Sequence, residues 1–188
     1  MSKVQYGLSN VHLSTRTDSG GSISYGTPVA FPGAVNLNLS ATQADATFYA
    51  DNIVYFKVTK LTALEGELEM ALIPDSIKTA YLGYIADDDG NLAETNAVGA
   101  PFALLAQVEQ DDYAGKICFY NCVFGRPSTE HSTVEDTISV QTVTIPITIT
   151  GETVTIDGES VQVFSRTAEH GDTNYASFFS TVAIPTFS

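Results

Sequence analysis

The stretch GAVNLNLSATQADATFYADNIVYF, residues 33–56, decides how this chain is read. Val35, Leu37 and Leu39 alternate with Asn36, Asn38 and Ser40, the period-two pattern of a strand with one buried face. Ile53, Tyr55 and Lys57 alternate with Val54 and Phe56 and predict a second strand. Between them, residues 41–52 are rich in Ala, Thr and Asp and read as a long loop, more than a hairpin needs. The loop returns on the aromatic pair Phe48 and Tyr49 beside Asp51 and Asn52.

Alternation continues on both sides of this stretch. NVHLSTRT places Val11, Leu13 and Thr15 on one face, and GELEMALIP sets Leu68, Met70 and Leu72 against Glu67, Glu69 and Ala71. PFALLAQVEQ and KICFYNCVF flank the turn DDYAG and predict an antiparallel pair. In VQTVTIPITIT, Val143, Ile145, Ile147 and Ile149 alternate with polar residues, but proline cannot donate to a ladder. That segment is therefore expected at a sheet edge, or bulged at Pro146. Gly151 with Glu152, and Asp157 with Gly158, mark the next turns of a meander reaching Phe164.

Two segments carry helical spacing instead. PDSIKTAYLG opens on Pro74 and Asp75, closes at Gly83, and spaces Ile77, Ala80, Tyr81 and Tyr84 on one face. DTNYASFFSTV repeats that spacing with Tyr175, Phe178, Phe179 and Val182 behind a cap at Asp172 or Thr173. The expected fold is mainly β: a two-sheet antiparallel sandwich with one or two short flanking helices. A chain of 188 residues with no linker or internal repeat reads as one domain, residues 1–188.

Composition narrows the function. The formal net charge is −14, from 22 acids against 8 bases, and the bases are scattered, which argues against a phosphate-gripping surface. MSKVQYGLSN has no apolar run of signal-peptide type, and no stretch reaches the ~20 apolar residues of a membrane span. Synthesis in the cytosol is expected, without membrane attachment. Cys118 and Cys122 lie four apart on a strand, so they are expected on one face, about 13 Å apart. That is too far for a disulfide, and both read as buried free thiols.

No catalytic constellation emerges. TDSGGS, residues 17–22, echoes a serine-protease motif, but Ser19 comes early, Thr17 stands where an oxyanion glycine belongs, and only His12 precedes it. It reads as a flexible Gly and Ser loop. His12, His131 and His170 share no metal spacing, and ADDDGN fails as a calcium loop because its first position would be Ile85. No enzyme, metal or cofactor is expected.

Loops, edges and charge are left, the properties of a chain that assembles. YGTPVAFPGAVNLNLS followed by TFYADNIVYF resembles the N-terminal half of the major tail tube proteins of long-tailed, siphovirus-type phages of Gram-positive hosts. GELEMALIPDSIKTAYLGY is similar to the strand-helix segment of that family. CFYNCVFGRPSTEHSTVEDTISVQTVTIPITITG resembles its Tyr-x-x-x-Phe-x-Arg-Pro stretch, and ASFFSTVAIPTF its closing helix. Val123 departs from the pattern, since relatives often carry a base there, and the end at TFS carries the expectation of no additional immunoglobulin-like domain.

The resemblance implies a structural virion protein of the tail: hexameric rings stacked into a conduit for genome delivery, built in the host cytoplasm. Implied partners are further copies of the chain, with tape-measure, terminator and tail-tip proteins, while DNA passes through without specific binding. On this reading Phe48, Tyr49, Asp51 and Asn52 form a ring-stacking loop, unless the aromatics tuck into their own sandwich. Glu65, Glu67 and Glu69 share one strand face and are candidate lumen-facing acids, or else a solvated outer face. The competing reading is an acidic β-sandwich adhesin or carbohydrate-binding module, disfavoured because such modules usually expose Trp and this chain has none.

Overall fold

A computed structural model describes residues 3–129 and 141–187 of the chain. His131 and the part of the Tyr-x-x-x-Phe-x-Arg-Pro stretch within residues 130–140 lie outside the described residues. The N-terminal strands are β1 (Gln5–Ser19), β2 (Ser22–Tyr25), β3 (Val29–Ala30), β4 (Ala34–Ala50) and β5 (Ile53–Met70). Helix α1 (Asp75–Tyr81) follows, then β6 (Tyr84–Ala86), β7 (Leu92–Glu94), β8 (Phe102–Gln110) and β9 (Gly115–Phe124). The chain closes with β10 (Val143–Ile149), β11 (Glu152–Ile156), β12 (Glu159–Val163) and β13 (Ser165–Ala168).

The architecture is mainly β and antiparallel, as the alternation predicts. The principal sheet runs β2-β1-β8-β9-β10-β5-β4, with β3 on β1 and β13 on β9. Val11 and Leu13 of β1 share a core with Leu68 and Met70 of β5 and with Ile145, Ile147 and Ile149 of β10. Strands far apart in sheet order therefore face one another. The sheet curls over itself into two layers, and β1 comes alongside β4 without pairing with it. The hairpins β6–β7 and β11–β12 stand apart as small sheets. The latter turns on Asp157 and Gly158, both at positive φ, so the meander past β10 leaves the main sheet.

Strand β8 is apolar without alternation because both of its faces are covered. Leu104 and Ala106 enter the inner core, while Ala103 and Leu105 lie under Phe178 and the C-terminal segment. That segment, expected to be a helix, is instead a run of turns closed by i→i+3 bonds such as Tyr175 N–H to Asp172 C=O and Ser180 N–H to Ser177 C=O. A physical cause is visible. The Tyr175 carbonyl, which a helix would give to Phe179, accepts from Lys116 Nζ at 2.6 Å and, at 3.5 Å, from Phe178 N–H, and the ammonium also sits over the Tyr175 ring. Tyr175 Oη donates to Ala114 C=O at 2.7 Å, and the His12 ring packs against Phe179. The tertiary ties replace the helical ones.

Helix α1 forms where expected and buries Ile77 and Tyr81, with Gly83 at φ 70 just beyond it. Ala80 is exposed and Tyr84 has moved into β6, so the apolar stripe is narrower than its spacing suggests. Arg126 fixes this region from the other side, donating to the carbonyls of Leu82, Thr95 and Ala97. Leu72 lies past the end of β5 and is exposed, unlike Leu68 and Met70.

Three further expectations change. First, Pro146 is not at an edge: β10 lies between β5 and β9. Its carbonyl accepts from Gly125 N–H, just past the end of β9, so its missing donor falls in the gap between that ladder and the isolated Ser128↔Thr144 bridge. Second, Cys118 and Cys122 point to opposite faces. Residues Tyr120 and Asn121 both oppose Ala103, with Asn121 at φ 51, and this bulge inverts the side-chain parity. Both thiols are free and buried, and burial pushes the Cys118 pKa up to about 12. Third, the TDSGGS stretch is a tight β1–β2 hairpin turn on Gly20 and Gly21, with Asp18 accepting from Gly21 N–H.

Candidate assembly surface

The segment read as a loop is a β-hairpin. β4 and β5 stay paired from Ala34↔Met70 out to Ala50↔Ile53, and the connection is only Asp51 and Asn52. Their φ angles of 53 and 63 make a type I′ turn, the two-residue connection whose twist suits flanking strands. Asp and Asn tolerate this left-handed region better than other residues with a Cβ. The two candidate stacking residues Asp51 and Asn52 are thus the turn itself.

From Gln43 to Leu61 the hairpin leaves the body as an arm, and nearly every residue on it is exposed. Phe48 is 61% and Tyr49 65% exposed, so neither tucks into the core of its own subunit. Cross-strand partners share a face, which sorts the arm into two sides. Ala44, Ala46, Phe48 and Ala50 stand with Lys60, Val58, Phe56 and Ile53, an apolar side broken by one charge. Asp45, Thr47 and Tyr49 stand with Thr59, Lys57 and Val54, a mixed side where Lys57 reaches Asp45 at 3.3 Å. Hydrogen bonding by Thr59, then the Lys57 ammonium, holds the Asp45 carboxyl below its ordinary range. Tyr55 is the extra residue of a bulge opposite Phe48 and Tyr49, and its ring meets Phe48 edge-on at 6.4 Å.

The acids Glu65, Glu67 and Glu69 lie on the same β5 strand, nearer the body. Their cross-strand neighbours are Ser40, Asn38 and Asn36 on β4 and Thr148, Pro146 and Thr144 on β10. Glu65 and Glu67 are exposed; Glu69 is half-buried. Thr42 Oγ1 donates to Glu65 at 3.1 Å and Thr142 Oγ1 to Glu69 at 2.6 Å. None of these neighbours is a base, and all but Pro146 are polar.

Parity links the two surfaces. Along β4, Asn36, Asn38, Ser40 and Thr42 on the acidic face continue into Ala44, Ala46 and Phe48 on the apolar side of the arm. Thr62 is an extra residue on β5 opposite Thr42 and Gln43, and the hydrophobic pattern inverts at that bulge. Inside the body Leu37, Leu39 and Leu68 face the core; beyond the bulge the apolar residues change sides. The signal that could have revealed the arm was present in the sequence. Ala44, Ala46, Phe48 and Ala50 alternate with polar residues, but alanine is a weak strand former and hides the period.

Among the described residues no cluster of His, Cys, Asp or Glu suits a metal ion, and no helix is long and apolar enough to cross a membrane. No family model matches the chain, and no curated protein matches it. Among solved structures, Hcp1 from Flavobacterium johnsoniae aligns over 82% of this chain and 99% of its own, at 9% identity and a TM-score of 0.36.

Proposed function

We propose that this chain is a self-assembling structural protein, the subunit of a phage tail tube whose rings stack through the β4–β5 arm. The observation that carries the reading is the arm: seven large apolar side chains between Phe48 and Val58, each at least 46% exposed, on a hairpin with no core behind it. Monomers rarely leave so continuous an apolar surface in water, and a two-stranded ribbon alone is marginally stable. Contact with further copies would cover it. The resemblance of the four sequence segments to tail tube proteins supports the same reading, as does the acidic face of Glu65, Glu67 and Glu69. Carboxylates along a lumen would repel duplex phosphates and keep the genome sliding.

The test is assembly. Purified protein at high concentration, examined by native mass measurement and negative-stain microscopy, should yield hexamers, rings or hollow rods. Phe48→Ser with Tyr49→Ser should abolish them while leaving a cooperatively folded subunit. A wild-type chain that remains monomeric at every concentration, and with tail partners present, overturns the reading.

A further inference from the structure

Where the curled sheet fails to close, between β1 and β4, two cavities of about 320 and 560 Å³ share Leu8 as a wall. The larger is lined by Val35, Leu37, Leu39, Val108 and Ile117, and no charged residue lines either one. No strand pairs with the outer edge of β4 among the described residues. We infer that this seam groove receives the β4–β5 arm of a second copy of the chain. The inference rests on the self-assembly proposed above and names the surface that the arm occupies.

Two observations single out a second copy. The arm of the same chain cannot enter. Groove residues 35–39 run into the arm along the β4–β5 ladder, interrupted only by single-residue bulges, which carries Tyr49 about 35–40 Å from Leu37. Charge selects the pairing too. Residues 43–61 hold two acids, Asp45 and Asp51, and two bases, Lys57 and Lys60, so the arm is neutral and the rest of the chain carries the whole −14. Neutral arm into uncharged groove lets two strongly acidic chains meet without setting like charges side by side.

Arm and groove are different surfaces, so the contact is heterologous. Such a contact closes into rings or propagates into filaments instead of stopping at a two-fold dimer.

The experiment uses full-length chains carrying Tyr55→Cys or Val35→Cys, residues that are 72% and 51% exposed, with a short bis-maleimide as the probe. The native thiols are buried and provide a silent background. Mixing the two variants under assembling conditions should give covalently linked multimers, whereas each variant alone should give none. Val35→Glu, which places a carboxylate on the groove wall outside the core, should reduce assembly at least tenfold without changing the melting temperature. Assembly that survives Val35→Glu, with no link between positions 35 and 55, overturns the groove assignment and leaves self-assembly standing. Linking of Tyr55→Cys to itself shows arm-to-arm contact and also overturns it. A wild-type chain that never assembles overturns the proposed function and this inference together.

Discussion

Phe48 and Phe56 stand directly opposite each other across the arm, 61% and 57% exposed, on the side that also carries Val58 and Ile53. A cross-strand aromatic pair of this kind is worth about 0.2–1 kcal/mol to its own subunit. Replacing both by Ser is therefore expected to lower subunit stability by less than about 1 kcal/mol and to abolish assembly. Chemical denaturation alongside sedimentation velocity separates the two effects. Loss of cooperative unfolding would show that these rings belong to the fold.

Glu65, Glu67 and Glu69 offer a test of the proposed conduit. With Glu67→Lys and Glu69→Lys, each substituted side chain adds a phosphate-binding cation where the wild-type face repels. Assembled tubes carrying the pair should retain duplex DNA at low salt and release it steeply as salt rises. Unchanged genome ejection, at unchanged salt dependence, would place these residues on the outer surface.

Arg16 and Glu152 tie β1 to β11 inside the protein. The guanidinium donates through Nε to Oε1 and through Nη2 to Oε2, Tyr25 Oη donates to Oε1 at 2.7 Å, and only 2% of Glu152 is exposed. Removing the cation leaves a buried carboxylate without a countercharge, held only by Tyr25 Oη. Arg16→Met should cost about 3–5 kcal/mol, whereas Arg16→Met with Glu152→Leu should recover most of the loss. Urea unfolding of the three chains decides this.

Gly66 lies in β5 against β4, where a Cβ would collide with the carbonyl of Asn38. Gly66→Ala must push the two strands apart at the base of the arm. A loss of about 2–3 kcal/mol is expected, readable as a lowered melting temperature. An unchanged melting temperature would mean that the strands are not held this close.

Alkaline pH should unfold the protein before it affects an ordinary β domain. Burial raises the pKa of Cys118 to about 12, and burial also raises those of Cys122, Tyr25 and Tyr120. Above about pH 9 the unfolded chain loses thiol protons that the folded chain keeps, and above about pH 10 phenolic ones. Unfolded protein then binds fewer protons, so stability is complete below pH 9 and falls as pH rises toward 12. Cys118→Ala should flatten the first part of that fall in a pH series of denaturation curves.

Local alternation was enough to read the strands around Val11, Leu37, Leu68 and Ile145 and the antiparallel, mainly β class, because a half-buried strand writes its environment into a two-residue period. Proline and glycine placed α1, since Pro74 and Gly83 bound it whatever surrounds it. Tertiary structure decided everything that depends on what lies across a gap. Lys116 took the Tyr175 carbonyl and turned a helical spacing into a run of turns. Bulges at Asn121 and Thr62 inverted side-chain parity, which no fixed period can encode. Phe48 and Tyr49 looked alike as core or contact residues in sequence; only the projection of the arm beyond the body, with no layer behind it, left them in solvent.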